Sequence, residues 1–349
     1  MEGRALFINL QWPRSAPPEI FLPFSFLTYD GAHSSTMPDS ILLQAQADLN
    51  PPTRGRRRDI WALVSLLIAL SWVASCGRSA NADSICALSG QPLTTIEKAQ
   101  SAWDFVQKNQ GSLQELQKSG RVPDIQFDRL PSDLNALPAH RVDLFLGLVL
   151  PAALRVNQAI LADREKLLHL SQTAELGTSG KNELQTLAQR YGLESSSIPE
   201  LLKRVDIVPP SLILAQAADE SGWGRSRFAI EGNALFGQHT NNPNQPSIEA
   251  RDAKVRLAAF KTLCGSVEAY VSNLNSTRAY APFREIRSEL RAKDQPLTGT
   301  ALVAGLSLYS ARGESYLADL RSIMRHHDLG GLDKARLTGK PRWVRVIHP

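Results

Sequence analysis

The sequence lacks several of the patterns that announce a function. No cysteines and histidines fall at zinc-binding spacing, no glycine-rich loop is built to cradle phosphate, and aromatic and basic residues are not interleaved. These absences argue against structural zinc, nucleotide chemistry and nucleic acid as a partner. His239 has no second ligand at a useful spacing, so neither metal nor cofactor is expected. There is no internal repeat, which excludes a solenoid or array. The apolar run Ile60 to Ala74 is too short and wrongly flanked for an ordinary spanning helix. What remains is an ordinary globular composition, 43% hydrophobic and 21% charged, in 349 residues, enough for one large domain or two small ones. The net charge of +5 suits an anionic polymer or surface as partner.

The first eighty residues have the layout of an export address. Residues 1–55 are rich in Pro, Ser and polar residues, unlike a signal n-region, and imply disorder or a true start at Met37. In the leader, 56–82, Arg56-Arg57-Arg58 precedes the apolar run, and two processing sites follow. Val73-Ala-Ser-Cys76 resembles a lipoprotein box with Cys76 acylated, and Ala80-Asn-Ala82 fits ordinary signal cleavage. An uncleaved leader is the third outcome. The expectation is export to the periplasm, with membrane attachment through lipidated Cys76 or a retained leader. Cys86 and Cys264 then remain as a pair in an oxidising compartment, or as two free thiols.

Periodicity predicts a mainly helical (α+β) chain with one small β-element. Residues 83–138 are expected to form a linker and an N-terminal helix, with Ala99, Trp103, Val106, Leu113 and Leu116 at helical spacing and a turn-rich stretch from Pro123 to Pro138. A long helix from His140 to about Leu170 carries Leu150, Leu154, Leu161 and Leu168 on one stripe, with Pro151 kinking or breaking it. Val255, Leu257 and Ala259 alternate within Ile248 to Phe260 as in a strand of a hairpin. Helices are expected at Ser266–Asn275, Arg284–Arg291, Thr300–Leu306 and Arg312–His327. A basic tail without helical period occupies 331–349.

The most informative stretch is Gln216-Ala-Ala-Asp-Glu220-Ser-Gly-Trp-Gly-Arg225, followed by Asn233-Ala-Leu-Phe-Gly237. Pro209 and Pro210 suit a helix start and Gly222 suits its left-handed stop. On that helix Glu220 shares a face with Gln216, Ala217 and Ile213, next to the negative end of the dipole. Desolvation and the dipole both disfavour its charged form. A carboxyl kept protonated near neutrality is what glycosidic cleavage requires of its general acid. Asp219, one residue away, points roughly 100° aside and is not a paired carboxylate.

This pattern resembles the glucosaminidase domain of glycoside hydrolase family 73, in its Bax-like branch, related to flagellar peptidoglycan hydrolases. Ser266-Val-Glu-Ala-Tyr270, Asn273-Leu-Asn275, Ala279-Tyr280, and Tyr309-Ser-Ala-Arg-Gly313 with Tyr316 extend the likeness. The resemblance implies a lysozyme-like fold over 139–330, Glu220 as catalytic acid and Tyr309 as the functional tyrosine. Trp223, Asn233, Phe236 and Gly237 are the expected substrate contacts. Trp223 is equally readable as a packing residue, Phe236 reads mainly as core, and Asn233 is also readable as a turn support. The expected substrate is the glycan strand of peptidoglycan, cut by an endo-β-N-acetylglucosaminidase. A lytic transglycosylase or muramidase on the same fold, or an inactive wall-binding protein, are the alternatives. Glu249 and Asp252 are the acids on the β-element available as a second catalytic group, and a substrate-assisted route needs neither.

Overall fold

The computed structural model describes residues 85–250 and 255–348. Residues 1–55, the leader with Cys76, and Asp252 lie outside them. Helices dominate. Helix α1 (Ala99–Gln110) and helix α2 (Leu113–Ser119) come first, and Ser112 and Glu115 form a reciprocal capping box at the start of α2. Helix α3 (Arg141–Ser171) is long and apolar enough to cross a membrane, but 78% of its apolar window is buried inside the protein. It is the central core helix.

Around it stand α4 (Thr178–Arg190), α5 (Ile198–Arg204), α6 (Pro210–Ser221), α7 (Arg227–Gly232), α8 (Leu263–Ser276), α9 (Ala281–Ala292), α10 (Gly299–Leu302) and α11 (Glu314–His326). Helix α3 packs on α6, α8 and α1. Pro151 neither breaks α3 nor divides it. The anticipated leucine stripe holds only in part, for Leu161 and Leu168 are 45% and 41% exposed. Leucines seven apart drift by about 20° per heptad around a straight helix. Leu167 and Leu170 instead enter a separate small cluster with Leu184, Leu187 and Leu201 of α4 and α5.

Two segments expected to be irregular are strands. Strands β1 (Thr95–Ile96), β2 (Arg121–Phe127) and β5 (Arg336–Val346) make a parallel sheet in the order β1-β5-β2. Pro123, which reads locally as a turn signal, sits where the β2 register shifts, so its missing N–H is tolerated. The basic tail is therefore the central strand, with Val344 and Val346 in the core. Strands β3 (Ser247–Glu249) and β4 (Arg256–Ala258) form the expected antiparallel hairpin, Ile248 opposite Leu257. Cys86 and Cys264 are joined as a disulfide with Cα atoms 5.4 Å apart, tying the first described residues to α8.

Candidate active site

Helix α6 is a largely buried helix that brings Glu220 to the edge of the core at its C-terminal end. Pro210 occupies its first turn, and residues Pro210 to Ala218 are all buried. Gly222 stops it in the left-handed region, donating to Ala218 and Asp219, while Trp223 N–H reaches back to Ala218 O at 2.8 Å. Ser221 Oγ accepts from Gly224 N–H at 2.9 Å, fixing the turn. Gly224 is obligatory there. Its φ is +74°, and a Cβ would stand 2.9 Å from Leu130 and Leu134. Glu220 is thus the last but one residue of the helix, half-buried at its C-terminal end.

Burial pushes the Glu220 carboxyl up to about 7; a hydrogen bond with Tyr316 opposes this, the Asp219 charge adds to it, and Arg312 draws it back. The Arg312 guanidinium is divided between Asp219 and Asp319 and lies 4.8 Å over the Tyr316 ring. Beneath Glu220 three helices meet. Gln216 of α6, with no exposed surface, donates to the Tyr316 hydroxyl of α11 at 2.7 Å and accepts from the Tyr270 hydroxyl of α8. Opposite Glu220 is Gly237, φ +61°, where a Cβ would lie 3.5 Å from Glu220 Oε2. The glycine keeps that approach open.

The other anticipated residues divide into those at the carboxyl and those that support it. Tyr309 does stand in this cluster, its ring parallel to Tyr316 at 5.7 Å and edge-on to Tyr270 at 6.2 Å. Its hydroxyl donates to Phe236 O at 3.2 Å, whereas the hydroxyl bonded to Glu220 is that of Tyr316. Tyr309 therefore reaches the site as expected, and Tyr316 is a neighbour of Glu220 that the sequence reading did not single out. The available signal was Gln216, which shares the Glu220 face and needs a partner when buried. Phe236 is 2% exposed and stacks on Tyr270 at 4.0 Å, so it is a core ring. Asn233 caps α7 at φ +53°, its amide donating to Asp128 O and Phe260 O at 3.1 and 3.0 Å. Trp223 holds a positive φ and packs edge-on against Phe145 and His327. It supports the turn while remaining partly exposed. Glu249 is exposed on β3, and its carbonyl accepts from Arg227 at 2.7 Å. Among the described residues no group of three or more His, Cys, Asp and Glu gathers to hold a metal.

Comparison with known proteins assigns the family. Residues 195–329 match the family model described as mannosyl-glycoprotein endo-beta-N-acetylglucosaminidase. Protein bax of Escherichia coli (strain K12) is 36% identical over 212 residues, covering 57% of this chain and 72% of that protein. The chain belongs to the glucosaminidase family of glycoside hydrolases. Solved structures similar to the chain include the following two. One is the glycoside hydrolase domain of Salmonella typhimurium FlgJ (22% identity, TM-score 0.29, 42% of this chain and 88% of that one). The other is a peptidoglycan hydrolase from Sphingomonas sp. A1 (23% identity, TM-score 0.28, 44% and 91%). Within the glucosaminidase match fall Glu220, Tyr309, Tyr316 and both strands of the hairpin, while β1, β2 and β5 lie outside it.

Proposed function

We propose that this glucosaminidase is exported and cleaves the glycan strands of peptidoglycan, as an endo-β-N-acetylglucosaminidase with Glu220 as general acid. The observation that carries the reading is a half-buried carboxyl raised to about 7 at the end of α6, facing a glycine that leaves its Oε2 approachable. Glu220 gives its proton to the glycosidic oxygen as the sugar–oxygen bond breaks. The carboxylate so formed is received by Tyr316 and, from the exposed side, by Arg312. Among the described residues the acid whose charge reaches Glu220 is Asp219, which is committed to Arg312 and so is not offered as a nucleophile. We assign the attack to the substrate's own N-acetyl oxygen, with a carboxylate of the hairpin, Glu249 or Asp252, as the alternative. Tyr309, whose O–H is spent on Phe236, retains lone pairs to accept the acetamido N–H. Export is supported by the Cys86–Cys264 bridge, which belongs to an oxidising compartment.

Digestion of purified peptidoglycan, borohydride reduction and mass spectrometry of the new ends tests the bond cleaved. Glucosaminitol supports the proposal, muramitol indicates a muramidase, and anhydro-muramic ends indicate a transglycosylase. No new ends, with the protein still bound to the wall, indicates a binding protein. Fatty-acid labelling, compared with Cys76→Ala, tests the anchor.

A further inference from the structure

The hydrogen-bonded chain beneath Glu220 has a direction. Tyr270 is fully buried and its hydroxyl donates to Gln216 Oε1. With Oε1 engaged as acceptor, Gln216 presents Nε2–H to the Tyr316 oxygen at 2.7 Å. A hydroxyl that accepts there has its own O–H left to give, and the group it meets is the Glu220 carboxyl. Every link donates toward the next.

We propose that Gln216 and Tyr270 are positioning residues, holding the Tyr316 hydroxyl so that it donates to one carboxyl oxygen of Glu220 and leaves the other for substrate. The inference rests on the reading of Glu220 as general acid. Gln216 has no exposed surface, so water cannot replace either partner, and an unpaired buried amide is costly. Among the described residues the groups facing Glu220 are Asp219 on its own helix, Arg312 ahead of α11, Tyr316 on α11, Tyr270 on α8, Tyr280 in the short turn after α8, and Tyr309. Arg312 acts from the exposed side and is shared with two aspartates. Tyr316 is the donor from the buried side. As the proton leaves for the glycosidic oxygen, charge grows on Glu220 and this hydrogen bond strengthens.

The test reads Glu220 directly. The full chain, carrying 13C-labelled glutamate, is titrated by NMR, and the Glu220 signal is assigned by its loss in Glu220→Gln. A hydrogen bond to the carboxylate favours the charged form, so losing it raises the titration midpoint. Tyr316→Phe is expected to raise it by about half to one pH unit, the net worth of one such bond. Gln216→Leu should raise it by about as much, Tyr270→Phe by less, and Gln216→Leu with Tyr316→Phe by no more than Tyr316→Phe alone. A Gln216→Leu midpoint equal to wild type, or a double-variant shift equal to the sum of the singles, overturns the positioning role. If Gln216→Leu does not fold, Tyr270→Phe decides, since it removes one oxygen; an unmoved midpoint there overturns the proposal. Wall digestion across pH separates the two readings. An alkaline limb that follows the midpoint supports both, and a midpoint that moves while the limb stays fixed upholds the network and removes Glu220 as the acid.

Discussion

Asp206 lies just before α6 and Glu220 near its end, the first buried and the second half-buried, and their protonation goes opposite ways. Burial pushes Asp206 up, but Arg291 grips both its oxygens at 2.9 and 2.8 Å, and Arg287 and Arg164 add charge. The balance lies below the usual carboxylate range. Burial pushes Glu220 up to about 7, because among the described residues its neighbouring guanidinium, Arg312, is shared with two aspartates and offsets little of the penalty beside the Tyr316 hydroxyl. Burial sets the size of the penalty in both places. What differs is whether a cation is committed to that carboxylate.

Removing the proton from one member of the pair gives the largest effect. Glu220→Gln is expected to cut wall digestion by about 10²–10⁴-fold with an unchanged circular dichroism spectrum. Clearing at the wild-type rate in a zymogram rejects the assignment. At the other end, Asp206→Asn leaves the guanidiniums of Arg164, Arg287 and Arg291 without their counter-charge. Urea unfolding at pH 7 should show a loss of about 3–5 kcal/mol, with digestion per folded molecule preserved. Because Asp206 is held low in the folded state, its contribution is present above the ordinary carboxylate value. It is lost as pH falls through the folded one, so the two proteins should converge in stability below about pH 4.

The sign reverses for Glu220. Its folded value is raised, from 4.5 to about 7, so its contribution is complete below 4.5 and lost as pH rises through 7. Glu220→Gln should therefore be more stable than wild type by about 1–3 kcal/mol at pH 8 and no more stable at pH 4, measured by urea unfolding. Digestion by the wild type should fall above about pH 7 as the acid ionises. The smallest effect is expected at Glu249, exposed on the hairpin. Glu249→Gln should lose less than about tenfold, roughly 1.4 kcal/mol of barrier. A collapse of activity there, with the fold intact, would make Glu249 the missing second carboxylate.

The half of this comparison proposed to carry the chemistry was legible in the residues, and the other half was not. Two prolines, an apolar run and a glycine stop are local signals, so α6, the face shared by Gln216 and Glu220, and the direction of the Glu220 shift follow from them. Asp206 gave no such sign, because its partners come from α3 and α9, where Arg164, Arg287 and Arg291 read as solvated helix charges. Tyr316 as a neighbour of Glu220 went unread for the same reason. Spacing along a chain does not say which hydroxyl arrives at a carboxyl on another helix. The parallel sheet was hidden most completely, since Arg121 pairs with Arg336 across more than half the chain, and a proline and a basic stretch mask the two strands.

That sheet also constrains when the molecule can be finished. Strand β5 lies between β1 and β2, which have no hydrogen bonds to each other, so neither can be paired until residues 336–346 have been made. Until then Val122, Ile125 and Phe127, all buried in the finished protein, lack the partner strand that covers them, and the β2 edge is open to any other extended segment. The helices that carry Glu220, Gln216, Tyr270 and Tyr316 are all synthesised earlier. Assembly of the site can therefore precede closure of the body, and ribosome-held or C-terminally clipped chains are the species most exposed to strand-to-strand aggregation.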